Sequence, residues 1–272
     1  VTVDKINCLD NIPMRKYFSN VNKRYMTILL FDVDGTLTPS GNQIKSEMIN
    51  IIDELSTKSY VKLGIVGGGS YEKIKWQLGD TIDKFKYIFS ECGAVTYVDK
   101  MLVLDKNMIE YCDRNALNLI IKKALNEISK MPIIYHGHQI EFRKGLVYVS
   151  PPGMQATDYE RNIFIELDNK LDIRKKLINI LSELDRKSQF EITLGGAVGI
   201  AICPNGWNKS QVMKYFDENS VDDQIYYFGD KTGPDGNDYP LYSHPYINGI
   251  SVIDYMDTID KITKILKLAK KN

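Results

Sequence analysis

The feature that most constrains this chain is a short apolar, β-branched run, Met26-Thr27-Ile28-Leu29-Leu30. It leads straight into Phe31-Asp32-Val33-Asp34-Gly35-Thr36-Leu37-Thr38. A run of this length and composition predicts a buried strand rather than a helix. Its C-terminal tip then carries two carboxylates, two residues apart, before Gly35 turns the chain. Side chains alternate along a strand, so Asp32 and Asp34 are expected on the same side. Two carboxylates that close are costly unless a cation lies between them or one holds a proton. A divalent ion with oxygen ligands, Mg2+ foremost, meets the first condition.

The chain beyond this tip alternates. Residues 45–55 carry Met48, Ile51, Ile52 and Leu55 at helical spacing, and residues 61–66 read as a second strand. That strand runs into Gly67-Gly68-Gly69-Ser70, with a helix expected through Leu78. A strand, then glycines, then a hydroxyl at a helix start is the arrangement in which backbone N–H groups and the helix dipole hold an anion such as phosphate. Residues 87–89 give a third strand. Strands and helices joined by short links predict a parallel sheet covered on both faces, with ligands at the carboxyl ends of its strands.

From about residue 95 to residue 203 the pattern becomes one of hairpins. Residues 96–104, residues 138–149 around Lys144-Gly145, and residues 189–203 around Gly195-Gly196 each read as one. Helices are expected at about 107–130 and 168–187. The expected fold is therefore α/β: a Rossmann-like, doubly wound parallel-sheet core (25–98 and 206–272) with an inserted α+β cap (99–205). Residues 1–24 form an arm without a readable pattern or function. After the insertion, Gly206-Trp207-Asn208-Lys209 opens a helix, and a strand over 223–228 ends in Gly229-Asp230-Lys231-Thr232. Asp230 would be a third carboxylate at a strand end.

Composition excludes some partners. Lys and Arg total 35 against 35 Asp and Glu, so the chain has no net charge and is expected to bind neither nucleic acid nor an acidic membrane. No run of about 18 apolar residues predicts a membrane span. Cys8, Cys92, Cys112 and Cys203 lack paired spacing for zinc or a redox dithiol, which fits a cytoplasmic setting. His136 and His138 share a strand parity but have no acidic or thiol partner nearby, and read as exposed polar residues. Residues 260–270 predict an amphipathic helix covering the core.

The Asp-x-Asp-Gly-Thr tip, the Gly-Ser loop, Lys209 and Gly229-Asp230-Lys231-Thr232…Asn237-Asp238 together resemble the haloacid dehalogenase-type phosphotransferases. Gln77-Leu78-Gly79, Ile140-Glu141-Phe142-Arg143, Val149-Ser150-Pro151 and Pro204-Asn205-Gly206-Trp207-Asn208-Lys209 extend the resemblance to the eukaryotic phosphomannomutase family, over roughly residues 25–265. The resemblance implies Asp32 as the nucleophile that forms an aspartyl phosphate and Asp34 as general acid/base. It implies Lys209 as the charge partner of the phosphoryl group. Mg2+ would be held by Asp32, the backbone carbonyl of Asp34, and Asp230. Ser70, Arg143 and Arg161 would contact substrate. A hexose bisphosphate would activate the enzyme, its partner would be a small phosphosugar, and a homodimer would form through the cap.

This chain departs from the family where the sugar is held. Gly41 and Met154 stand where the family has arginines, and Gly199 and Ala201 stand at its sugar-binding Ser and Asp. Gly69 takes the place of the loop serine, with Ser70 one residue later. His244 and Ile247 replace ligands of a second cation, and Gln139 an aromatic at the cap dimer contact. A charge-assisted Arg–phosphate contact contributes roughly 1.5–3 kcal/mol. A mutase, which must hold a bisphosphate and let it reorient, suffers most from such losses. The expected activity is conversion of mannose 6-phosphate to mannose 1-phosphate for GDP-mannose synthesis. The alternatives are a phosphatase on a small phosphosugar or related metabolite, and a catalytically impaired binding protein.

Overall fold

The computed structural model describes residues 26–185, 187–219 and 224–269. The arm at 1–24, Cys8, the first residue of the 223–228 strand and the last of the 260–270 helix lie outside them. In chain order, β1 (Thr27–Phe31) is followed by α1 (Ser46–Ser56), β2 (Val61–Val66), α2 (Tyr71–Leu78) and β3 (Tyr87–Ser90). The hairpin β4 (Val95–Val98) and β5 (Met101–Asp105) comes next, then α3 (Arg114–Ile128), β6 (Ile140–Phe142) and β7 (Val147–Val149). Two helices, α4 (Asp158–Leu171) and α5 (Ile173–Leu184), precede β8 (Phe190–Gly195) and β9 (Gly199–Pro204). The chain closes with α6 (Met213–Asn219), β10 (Gln224–Gly229), α7 (Tyr239–Tyr242), β11 (Asn248–Ser251) and α8 (Tyr255–Ala269).

Among the described residues, seven strands form one sheet in the order β11-β10-β1-β2-β3-β4-β5. The first five run parallel, and β4 and β5 add antiparallel. Both faces of β1 are apolar, and each finds its own cover. Leu29 and Phe31 pack with Met48, Ile52 and Leu55 of α1 and Ile262 of α8. Ile28 and Leu30 face the other way, onto Val212, Met213, Phe216 and Leu241. That two-sided burial is why the opening run is apolar without alternation. No helix among the described residues is long and apolar enough to cross a membrane.

A second sheet, β6-β7-β9-β8, is wholly antiparallel. Val147, Val149, Ile200 and Ile202 on one of its faces pack against Leu117 and Ile120 of α3 and Leu177 and Leu181 of α5. The boundary expected at residue 99 is corrected here. Residue 99 lies in the tight turn between β4 and β5, and β5 hydrogen-bonds to β4, which hydrogen-bonds to β3. The hairpin therefore belongs to the core sheet, and the insertion's own sheet starts at β6.

Two helices also differ from expectation. The chain enters α3 through a 3-10 turn at Met108–Glu110, with Asp113 capping Asn115 and Ala116. The helix expected at 168–187 overlaps only the end of α4, which already starts at Asp158, and Asp172 in a left-handed conformation (φ 51°) separates α4 from α5. A capping box, Thr157 with Glu160, starts α4.

Candidate active site

Parallel order brings the C-terminal ends of β1 and β10 side by side, with Phe31 opposite Phe228. Asp32 follows directly on one strand and Gly229-Asp230 on the other. The Gly35 turn (φ 83°) leaves the chain so close to Asp230 that a Cβ there would lie 2.7 Å from its Oδ2. Only glycine fits that approach. Lys209, in the 3-10 turn that precedes α6, reaches into the same space and is fully buried.

Lys209 is the centre of a buried charge network. Its Nζ donates to Asp32 Oδ1, to Asp238 Oδ1 at 2.6 Å and to the Tyr227 hydroxyl at 3.3 Å. The Tyr227 hydroxyl in turn donates to Asp238 Oδ1, and the Lys231 N–H donates to Asp238 Oδ2 at 2.8 Å. Burial works against the ammonium, but Asp238 and Asp32 outweigh it and hold its pKa well above the usual range. Asp32 is pushed up to about 8, by burial first and by Asp238 and Asp230 beside it, against the pull of Lys209. Burial likewise raises Asp230, which Lys231 partly offsets at 2.8 Å. Three carboxylates around one ammonium carry excess negative charge that calls for a second cation.

The donors fit a divalent metal. One oxygen from each of Asp32, Asp230 and Asp238 lies within 4.8 Å of the others, and carboxylate oxygens suit Mg2+. Asp238 already uses both oxygens on Lys209, Tyr227 and the loop backbone, which leaves Asp32 and Asp230 as the carboxylates best able to hold the ion.

Asp34 takes different partners. β1 ends at Phe31, so the alternation expected to pair Asp32 with Asp34 stops short of both, and the two carboxylates take different hydrogen-bond partners. Asp34 Oδ2 accepts from Lys73 Nζ at 2.6 Å, and Oδ1 accepts from Gln77 Nε2 at 2.8 Å and the Gly41 N–H at 2.7 Å. Burial would raise its pKa, but Lys73, then Gly41 and Gln77, prevail and lower it. Lys73 and Gln77 are one turn apart on α2 and so present one face to the Asp34 turn. Gly41, at a family arginine position, serves Asp34 through its backbone.

The remaining predicted residues scatter. Ser70 is the N-cap of α2 and accepts from the Lys73 N–H at 3.2 Å. Arg143, on the β6–β7 hairpin, reaches the glycine loop, with Nη1 3.4 Å from the Gly68 carbonyl. It also pairs with Glu141 at 2.6 Å and stacks 4.8 Å from the Tyr148 ring centre. Arg161, near the start of α4, donates to the Ala156 carbonyl at 2.9 Å and the Met154 carbonyl at 3.5 Å in the loop before that helix. His136 pairs with Glu160 and His138 contacts Gln155, and among the described residues neither belongs to a metal-ligand group of three.

Sequence reasoning missed Tyr148, Lys73, Gln77 and the joint role of Asp238 and Tyr227. The Tyr148 ring lies flat against Gly199, where a Cβ would be 2.1 Å from its Cζ, and its hydroxyl donates to the Gly195 carbonyl at 2.8 Å. The strand face expected to be bare at Gly199 and Ala201 is thus covered by an aromatic ring. Burial pushes the phenol's pKa up, against Arg143, Arg174 and Arg161 around it. A signal existed: Tyr148 and Ala201 are cross-strand partners, and small residues opposite a large one make room for it.

Comparison with solved structures defines the class. The IMP-bound IMP-nucleotidase of Plasmodium falciparum superposes with a TM-score of 0.62 at 14% identity, over 90% of this chain and 69% of that one. The trehalose-6-phosphate phosphatase C-terminal domain of C. albicans gives 0.55 at 19%, over 80% and 73%. The chain shares the fold of these two proteins, a Rossmann-like core with a cap. Sequence narrows this further. A family model described as eukaryotic phosphomannomutase matches residues 48–268. Phosphomannomutase 2 of Dictyostelium discoideum is 35% identical over 81% of this chain and 88% of its own length. Phosphomannomutase 1 of Mus musculus is 36% identical over 83% and 87%. The chain belongs to the eukaryotic phosphomannomutase family and is an enzyme of the mutase type.

Proposed function

We propose that the chain transfers a phosphoryl group through an aspartyl phosphate on Asp32, converting mannose 6-phosphate to mannose 1-phosphate in the cytoplasm for GDP-mannose supply. The supporting observation is the fully buried Lys209 ammonium shared between Asp32 and Asp238 with Asp230 beside them. Asp32 is oriented by Lys209, so one oxygen is held and the other is left to attack phosphorus. Mg2+ held by Asp32 and Asp230 would neutralise the incoming phosphate and keep Asp32 ionised. Lys209 offsets charge that develops on the phosphoryl oxygens. Asp34, ionised beside Lys73, takes the proton of the attacking hydroxyl and returns one to the leaving sugar oxygen in the opposite half-reaction. Arg143, whose Nη1 lies 3.4 Å from the Gly68 carbonyl of the core, would meet the second phosphate, and closure of the cap would exclude competing water.

Tyr148 favours a second reading. A ring over Gly199 narrows the cap face that would receive a sugar, which suits hydrolysis of a smaller phosphorylated metabolite. Phosphorus NMR of the protein with Mg2+, mannose 1-phosphate and a hexose bisphosphate separates the two. Formation of the 6-phosphate without inorganic phosphate supports the mutase, and release of phosphate supports the hydrolase. Asp32→Asn should abolish either, and turnover that survives it would overturn the aspartyl-phosphate reading.

A further inference from the structure

The edge of the core sheet has an apolar strand with nothing packed on it. β5 ends the strand order, and Met101, Leu102, Val103 and Leu104 are 71%, 51%, 53% and 36% exposed. None of them belongs to a buried cluster among the described residues. An exposed apolar edge of this kind is a template for another strand.

Its register against β4 shows what that strand could be. Met101 pairs with Val98 and Leu104 with Thr96, whereas Leu102 pairs with Tyr97 and Asp105 with Val95. Opposed residues share a sheet face, and Thr96 and Val98 are on one face while Val95 and Tyr97 are on the other. A bulge at Val103 therefore puts Met101 and Leu104 on one face and Leu102 and Asp105 on the other. In a regular strand, residues three apart would lie on opposite faces.

That parity change permits one two-fold pairing of β5 with itself. Centred between Leu102 and Val103, it sets Met101 against Leu104 and Leu102 against Val103 of a second copy. Of the flanking charges in Asp99-Lys100-Met101-Leu102-Val103-Leu104-Asp105-Lys106, Lys100, the last residue of the turn, then lies beside Asp105 of the second copy, while Asp99 sits on the β4 side of the turn. Shifting the register by one residue sets Lys100 against Lys106, or moves it from Asp105 to Leu104. Like charges so placed are destabilising. All four flanking residues are exposed. Their contacts within the chain, to Asp83, Lys86 and Lys144, are surface ion pairs of little strength.

We propose that β5 is an isologous interface at which a second copy of this chain pairs antiparallel, edge to edge, in that register. The surface is distinct from the cap, where Gln139 stands.

Light scattering and sedimentation of the full chain at micromolar concentration test it. The wild type should be a dimer. Val103→Lys should make it a monomer, with circular dichroism confirming the fold. Lys100→Asp and Asp105→Lys singly should each weaken the dimer about tenfold, because each sets like charges together at two symmetry-related places. The double exchange Lys100→Asp/Asp105→Lys should restore it, since the register brings the swapped pair back together. A monomeric wild type would overturn the proposal. So would a dimer indifferent to these changes but broken by one at Gln139, or a double exchange no better than either single one.

Discussion

Replacing Lys209 by methionine tests the charge network at its centre. Methionine keeps most of the length and the apolar stem but removes the ammonium that Asp32, Asp238 and Tyr227 share. Breaking a fully buried pair by deleting one partner costs about 3–5 kcal/mol, because the other charge stays buried without compensation. The pH dependence gives the test its sign. Asp32 has a folded-state pKa raised from 3.8 to about 8. Its contribution to stability is therefore fully present below 3.8 and lost as pH rises through about 8. Lys209 lowers that pKa, so its removal extends the window upward. In metal-free protein, urea unfolding should show wild-type stability levelling off above pH 8. The Lys209→Met variant should keep losing about 1.4 kcal/mol per pH unit there. Adding Mg2+ should recover part of the loss, as the ion substitutes for the missing positive charge. A loss under about 1 kcal/mol at pH 7, or the same slope for both proteins above pH 8, would refute the argument, since buried pairs broken in this way cost more.

The other predictions concern the cap and its contact with the core. Gly199→Ala should destabilise the protein by about 1–3 kcal/mol, because its Cβ would enter the Tyr148 ring. In a Tyr148→Ala background the same change should cost almost nothing, and additive effects in that double-mutant cycle would rule out the packing account. Glu91 is buried and accepts from the Gly145 N–H at 3.2 Å, and burial raises its pKa above 4.5 despite that bond and Arg143. Its share of stability is thus present below pH 4.5 and declines as pH rises through its folded-state value. Urea midpoints for Glu91→Gln should lose that decline, and an unchanged pH profile would count against it.

Much of the core was legible because it is locally encoded. The predominantly apolar runs of β1, β2 and β3 announce strands, and the expected 61–66 and 87–89 strands fall within a residue of those observed. Elements with competing local signals were harder. The break at Asp172 needs a left-handed residue that no glycine or proline marks, and the Thr157–Glu160 capping box that starts α4 went unread in the sequence. The bulge at Val103 leaves no mark in the sequence either, because it arises from pairing with β4.

By itself, the sequence determined that carboxylates stand at strand tips, that glycine turns the chain beside them, and that a lysine opens the segment after the insertion. Those are consequences of period, residue size and backbone freedom within a few neighbours. Only the tertiary structure decided who pairs with whom. Placing β10 next to β1 brings Asp230 and Asp238 to Asp32, and burying Lys209 between them makes one ammonium serve two carboxylates. The end of β1 at Phe31 and the approach of α2 send Asp34 to Lys73 instead. Such choices depend on which distant groups share a buried space, where an unpaired charge is costly, and no local pattern records that.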